Sequence, residues 1–377
     1  MTISGENAES LLRGLVAVPS VNPRDGDGPA EAAVAAYARD WLAERGITAA
    51  VREVLPGRPN VVAVVPGRSP RAVLLESHLD TVETDGMTVD PYAGEVRDGR
   101  LYGRGACDAK GPLAAFMLAA AELAAGEPPP CTVVLAGVAD EEHHYRGVLA
   151  LLSDEAGRGF AGAIVGEPTD LAPVTAHKGC VRYTVRTLGR AGHSSRPHEA
   201  VNAVSLMGPV LAHLDDTVPD VPDHPLLGAA TRAVTRVRGG TGPNTIPGTC
   251  EIDVDRRTLP GEDPHAVWRR EGAELAALGP IEVDEPFTVD LALDTPADSP
   301  VVATLRAALT ARGRDAEVRG MPFGTDASKI AHAGIPSVVF GPGSVGDAHS
   351  AAESVALADV ALAAEIVTEV VRGMPCA

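Results

Sequence analysis

Four short apolar runs in this chain end in side chains that bind metal ions, and that recurrence limits the fold more than any other feature. Ala72-Val-Leu-Leu-Glu-Ser-His-Leu-Asp80 ends in His78 and Asp80, and Thr132-Val-Val-Leu-Ala-Gly-Val-Ala-Asp-Glu-Glu142 ends in three consecutive carboxylates. Ala161-Gly-Ala-Ile-Val-Gly-Glu-Pro-Thr169 repeats the design with Glu167. Ser337-Val-Val-Phe-Gly-Pro-Gly-Ser-Val-Gly-Asp-Ala-His349 carries three glycines before His349, as expected of a loop whose backbone closely approaches something. Apolar runs bounded in this way read as buried strands. In open α/β sheets, ligands gathered beyond strand ends form one site.

Local chemistry supports the grouping. His78 and Asp80, two apart, point the same way at a strand end. One imidazole nitrogen is then free for a metal while a carboxylate fixes the other. Taken alone, they read equally well as a His and an Asp closing a strand. Glu141 and Glu142 follow a strand without charge, and like charges packed there need cations nearby.

A fifth segment, Gly103-Arg-Gly-Ala-Cys-Asp-Ala-Lys-Gly-Pro112, precedes a helix-like stretch, Leu113 to Leu123. Glycine-rich turns before helices often bind phosphate. Here the P-loop ending Gly-Lys-Ser/Thr is absent, and Asp108 stands where the dinucleotide pattern needs its third glycine. A carboxylate at that point repels phosphate and attracts a cation. Cys107 has an anionic neighbour, which raises a thiol pKa, and reads as a packing residue.

Taken in order, Ser77-His-Leu-Asp-Thr-Val82, Gly103 to Gly111, Asp140-Glu-Glu142, Gly166-Glu-Pro-Thr169, Gly192-His-Ser-Ser195 and Phe340-Gly-Pro-Gly343 with His349 resemble the M20 family of metallopeptidases. The likeness is greatest to the acetylornithine deacetylase and succinyl-diaminopimelate desuccinylase group, and it covers nearly the whole chain. It implies that Asp108 bridges two divalent metal ions, that His78 and Glu167 complete one site and Glu142 and His349 the other, and that Glu141 is the general base. Imidazole and carboxylate ligands without thiolate suit Zn2+, with Co2+ or Mn2+ as alternatives.

With 377 residues the chain exceeds what one hydrophobic core usually supports, so two domains are expected. The formal net charge of -19 argues against nucleic-acid or anionic-membrane partners. The five cysteines are odd in number and lack C-x-x-C spacing, which fits a reducing compartment better than a disulfide framework. No secretory signal or membrane-length apolar run is visible, and a cytoplasmic location is expected.

Strand-like and helical stretches alternate up to about residue 178, among them helices over Asn7 to Val18 and Ala30 to Arg45. This predicts a mixed or mainly parallel sheet. Between 179 and 294 the order becomes βαββαβ, a ferredoxin-like unit with strands over Val181 to Leu188, Thr231 to Val237, Thr249 to Arg257 and Ile281 to Val289 and helices over Glu199 to Leu214 and Pro264 to Leu278. From 295 the α/β pattern returns, with helices including Glu353 to Arg372. The expected fold is therefore an α/β catalytic domain, 1–178 and 295–377, interrupted by a smaller α+β domain, 179–294. The family resemblance implies that this insertion is a lid through which a homodimer forms.

The resemblance also assigns lid residues. His193 matches a histidine that reaches the other subunit's site and binds the substrate carbonyl oxygen. Asn244 and Arg257 match positions that hold the substrate carboxylate, a task suited to the guanidinium fork. The chain departs from the family at His143, His144 and Tyr145, where small residues are frequent, and at Cys180. The two histidines are expected to begin a helix. The implied activity is hydrolysis of a small-molecule N-acyl amino acid. A dipeptidase or carboxypeptidase acting on short peptides is the alternative, and a catalytically inactive relative that only binds metal or ligand is less favoured.

Overall fold

The computed structural model describes residues 3–24, 30–217 and 219–376. The chain divides into two compact units, Met1–Thr175 with Thr295–Arg319 and Thr325–Ala377, and Ala176–Asp294 with Gly320–Gly324. None of the described helices is long and apolar enough to cross a membrane.

In the first unit, strands β1 (Ala49–Leu55), β2 (Arg58–Val65), β3 (Ser69–His78), β4 (Cys131–Val138) and β5 (Phe160–Val165) form a mixed sheet in the order β1-β2-β4-β3-β5. The β1-β2 and β2-β4 pairs are antiparallel, whereas β3 runs parallel to both β4 and β5. Ser337–Val339 adds a further parallel strand beside β5. Because His78 lies opposite Val138, the carboxyl ends of the parallel strands emerge together. His78, the Asp140–Glu142 turn, Glu167 and the loop to His349 therefore leave the sheet at one edge. The strands are almost wholly buried, as expected when both faces of a sheet are covered.

Helix Lys110–Ala125 is buried along nearly all its length and packs against Leu357–Gly373. The latter buries Val360, Ala363, Ala364, Val367, Val370 and Val371, the spacing of one broad helical face. Helix Gly5–Val16 joins this layer; Ser4 caps it by accepting the Asn7 N–H at 3.3 Å.

The second unit has the expected βαββαβ order. Strands β6 (Gly179–Leu188), β7 (Thr231–Gly239), β8 (Thr249–Thr258) and β9 (Ile281–Val283) form an antiparallel sheet in the order β7-β8-β6-β9. Alternate residues Val181, Tyr183 and Val185 face helices Ala203–Asp216 and Pro264–Ala276.

Several element boundaries differ from expectation. The strand expected over Ile281 to Val289 breaks into Ile281–Val283 and Thr288–Asp290 around Pro286, which has no N–H for the ladder. The last helix begins at Leu357, because Ser354–Ala356 pairs as a strand with Arg100–Tyr102. The helix expected from Glu199 starts at Ala203, where Asn202 caps the N–H groups of Val204 and Ser205. His143 and His144 do not begin a helix. They lie in a turn whose N–H groups at His144 and Tyr145 converge on the Asp140 carbonyl, and Tyr145 is left-handed with φ 58°, so the helix starts at Arg146.

Cys131 and Cys376 are joined in a disulfide, with Cα atoms 5.4 Å apart, within the usual range for such a bridge. This single bridge departs from the expectation based on cysteine spacing. Its partners are 245 residues apart, and no local spacing could have indicated them. Cys107, Cys180 and Cys250 are free and buried.

Candidate active site

Two groups of residues that could each hold a metal ion meet at Asp108. One consists of His78, Asp108 and Glu167, the other of Asp108, Glu142 and His349, and within each set the donor atoms all lie within 4.8 Å of one another. The two oxygens of Asp108 are divided between the sets. Oδ1 lies 2.9 Å from His78 Nε2, and Oδ2 lies 3.2 Å from His349 Nε2. His78 Nε2 is also 3.9 Å from Glu167 Oε1, and His349 Nε2 is 3.2 Å from Glu142 Oε1.

Backbone geometry produces this convergence. His349 itself has φ 57°, in the left-handed region. Two loop glycines permit close approach: a Cβ at Gly341 would lie 2.6 Å from the Glu167 carbonyl, and one at Gly343 2.6 Å from Cys107 Sγ. A side chain at either position would push the loop from the site.

Asp80 has a wider role than fixing His78. The Nδ1 of His78 lies 2.9 Å from the Asp80 carbonyl oxygen and 3.5 Å from Oδ1. The carboxylate also accepts the backbone N–H groups of Glu141 and Glu142, each at 3.1 Å. Asp80 thus holds the His78 ring and the backbone of Glu141 and Glu142 together. Asn22 donates to both Asp80 Oδ2 and Asp140 Oδ1, at 2.7 and 3.0 Å. Arg58 pairs with Glu31 and with Asp140.

Charge in this cluster is out of balance. Burial, followed by the charge of Glu167, holds the Glu141 carboxyl well above its usual range. Burial and then Asp108 do the same to Glu167. Burial also raises Glu142, although its hydrogen bond to His349 opposes this. Hydrogen bonds to Asp108 and Glu142 push His349 up to about 10. For His78, burial acts downward, but hydrogen bonds to Asp108 and Asp80 outweigh it and the pKa stands well above normal. Burial would raise Asp108, yet its two histidine partners hold it well below the usual range. Without cations, the raised carboxyls and histidines hold protons. Divalent ions would take their place, and the donor set of imidazoles and carboxylates fits Zn2+, Mn2+ or Co2+.

The sign of the linkage follows. Groups whose pKa values are raised in the metal-free chain hold protons that a cation must displace, so the affinity for a divalent ion should increase as pH rises from about 6 to 8. With one proton released, the increase is about tenfold per pH unit. Competition against a chromophoric chelator at pH 6, 7 and 8 checks this, and a flat profile would refute it.

The carboxyl groups of Glu76 and Asp326 are buried and lie within hydrogen-bonding reach of each other, 250 residues apart in the chain. Burial, then the charge of Asp326, raises Glu76 well above normal. Burial raises Asp326 to about 7 against the opposing charge of Lys329.

In the second unit, His193 Nδ1 accepts the N–H of Ser195 at 3.2 Å and lies 2.7 Å from Ser195 Oγ. His193 is exposed and pairs with Thr245, which sets the Asn244 loop beside it; the Asn244 carbonyl accepts the Ser194 N–H. Arg257 is half-buried, with its Nε 2.9 Å from Asp255, and lies opposite Cys180 in the sheet. Its neighbour Arg256 is fully buried and committed to Glu262 and Glu271. His143 is half-buried and His144 exposed, their rings 6.0 Å apart.

Sequence reasoning did not identify Asn22, Glu31, Arg58, Glu76, Arg104, Asp326 or Glu353. Each is buried and polar, and each acts through contacts distant in the chain.

Residues 74–373 match the model of Peptidase family M20/M25/M40. An acetylornithine deacetylase of Myxococcus xanthus is 36% identical over 346 residues, 86% of this chain and 87% of the relative. The fold is shared with an aminopeptidase of Bacillus cereus ATCC 10987, at TM-score 0.81 and 20% identity over 98% of both chains. It is also shared with a dinuclear metal-binding peptidase of the M20 family from Bacillus subtilis, at TM-score 0.73 and 18% identity over 98% of this chain and 97% of the other.

Proposed function

Because the chain belongs to peptidase family M20/M25/M40, metal-dependent hydrolases of amide bonds, we propose that it is a dinuclear-metal deacylase of N-acyl amino acids. The observation that carries this reading is the division of the Asp108 oxygens between two three-residue ligand sets. His78 and Glu167 serve one ion, Glu142 and His349 the other, with zinc the first choice for both sites. When bound, such a pair acidifies a shared water toward neutral pH and polarises the substrate carbonyl.

The chain's own groups handle the protons. Glu141, raised by burial and beside the ligands, accepts a proton from the attacking water and then passes it to the leaving amine. The Asp80 contact with the Glu141 N–H fixes the base relative to Glu142. His193, whose Nδ1 is engaged by Ser195, has Nε2 left to donate to the oxyanion. Arg257 and Asn244 hold the substrate carboxylate; the burial of Arg256 supports the choice of Arg257.

The activity is tested with acetyl, succinyl, formyl and carbamoyl amino acids and with dipeptides, after reconstitution with Zn2+, Mn2+ or Co2+. We expect at least one acyl amino acid to be turned over faster than any dipeptide. The reverse order would make the chain a peptidase of the same family. A cytoplasmic location belongs to this reading and is supported by the three free, buried cysteines, though the Cys131–Cys376 bridge weighs against it.

The same reading includes a homodimer joined through the inserted units, in which His193 serves the partner's metals. Loss of one oxyanion donor costs about 10²–10³-fold in kcat, so His193→Ala should be nearly inactive. Mixed under subunit exchange with Glu141→Ala, it should regain a fraction of wild-type activity, because one site per heterodimer then has both residues. No recovery despite demonstrated exchange would mean that His193 acts in its own chain or not at all.

A further inference from the structure

Four residues after His349, Glu353 lies fully buried in the first unit with both carboxylate oxygens engaged. Oε1 accepts two consecutive backbone N–H groups, from Cys107 at 2.9 Å and Asp108 at 3.0 Å. Oε2 takes Arg104 Nη1 at 2.6 Å, and the Glu353 carbonyl accepts the Gly103 N–H at 3.0 Å. Arg104 is anchored in turn by its Nε bond to the Glu83 carbonyl, 3.0 Å. Cys107 Sγ donates to the Ser344 carbonyl at 3.3 Å, so the turn that carries Asp108 is tied twice to the segment that carries His349.

A buried carboxylate is costly unless hydrogen-bonded and paired. Here those bonds go to the backbone of one residue, Asp108, and of its neighbour. The direction in which the Asp108 side chain leaves the main chain depends on that backbone. We propose that Glu353 is a positioning residue for the two-metal site: it fixes the Asp108 backbone so that the carboxylate directs one oxygen to each ion. It touches neither substrate nor metal. Because Glu353 and His349 share one short segment, the same contact sets the register of the second ligand set against the first.

This inference rests on the two-metal reading, and its test separates the two. Metal-free wild type is titrated with Co2+ alone, following the visible d–d spectrum and the exchange coupling between the ions by EPR. If wild type binds one ion, or two without coupling, the two-metal reading fails. Given a coupled wild type, Glu353→Gln and Glu353→Asp are compared. Gln keeps the reach and an oxygen that can accept both N–H groups but loses the charge opposite Arg104. Asp keeps the charge but withdraws it by one methylene from the amides. Glu353→Gln should keep two coupled ions despite lower thermal stability. Glu353→Asp should bind the second ion about 10–100-fold more weakly, the usual cost of losing a partner behind a ligand, and lose the coupling. Wild-type coupling and affinity in Glu353→Asp would overturn the proposal, as would a loss of coupling in Glu353→Gln alone, which would make charge rather than positioning the contribution of Glu353.

Discussion

Replacing Glu141 by alanine is expected to lower kcat by ~10²–10⁴-fold, the range for removing a general base, while both metal ions remain bound. Glu141 belongs to neither ligand set. Its N–H is held by Asp80, so the backbone and the neighbouring ligand Glu142 should remain in position after truncation. KM should change little, because an interaction made in the transition state is being removed rather than substrate binding. Metal content by elemental analysis, measured beside kcat, provides the check. Parallel loss of metal and activity would make Glu141 a ligand and exchange its role with that of Glu142.

Asp108→Ala should have a larger effect, abolishing tight binding of both ions as well as activity. Each ligand set falls from three residues to two, His78 with Glu167 and Glu142 with His349. The consequence can be read without an assay of turnover. A ligand that binds only the folded state stabilises it by about 2.7 kcal/mol at a hundredfold excess over Kd. Wild type should therefore unfold at lower temperature after chelation, and Asp108→Ala should unfold at the same temperature with or without chelator. A chelator-sensitive Asp108→Ala protein would show that the ions do not depend on the shared carboxylate.

What could be read from the sequence follows from how parallel strands work. His78 ends an apolar strand, Glu142 and Glu167 follow theirs within a few residues, and the parallel pairing of the strands gathers those carboxyl ends together, with His349 returned by the loop after Val339. The apolar runs marked these positions as candidates, and the family resemblance, not the runs, divided them into two sets with Asp108. The supporting polar groups could not be located in that way. Glu353 meets Cys107 and Asp108 across about 245 residues, and Asn22 meets Asp140 across 118. No short spacing encodes such contacts; their one trace in the sequence is a charged or amide side chain amid small and apolar neighbours. The same distance hid the Cys131–Cys376 bridge. His143 and His144 were misread for a local reason: a helix-compatible sequence is interrupted by the left-handed Tyr145, which follows from the convergence of two N–H groups on the Asp140 carbonyl.

The most direct test of the account is the number of divalent ions bound per chain at saturation. Metal-free protein is titrated with Zn2+, freed of excess, and analysed for metal against protein concentration. Two ions per chain, falling to fewer than one in Asp108→Ala, is the predicted result. A single ion at saturation in wild type would contradict it, because one of the two ligand sets that share Asp108 would then hold no metal.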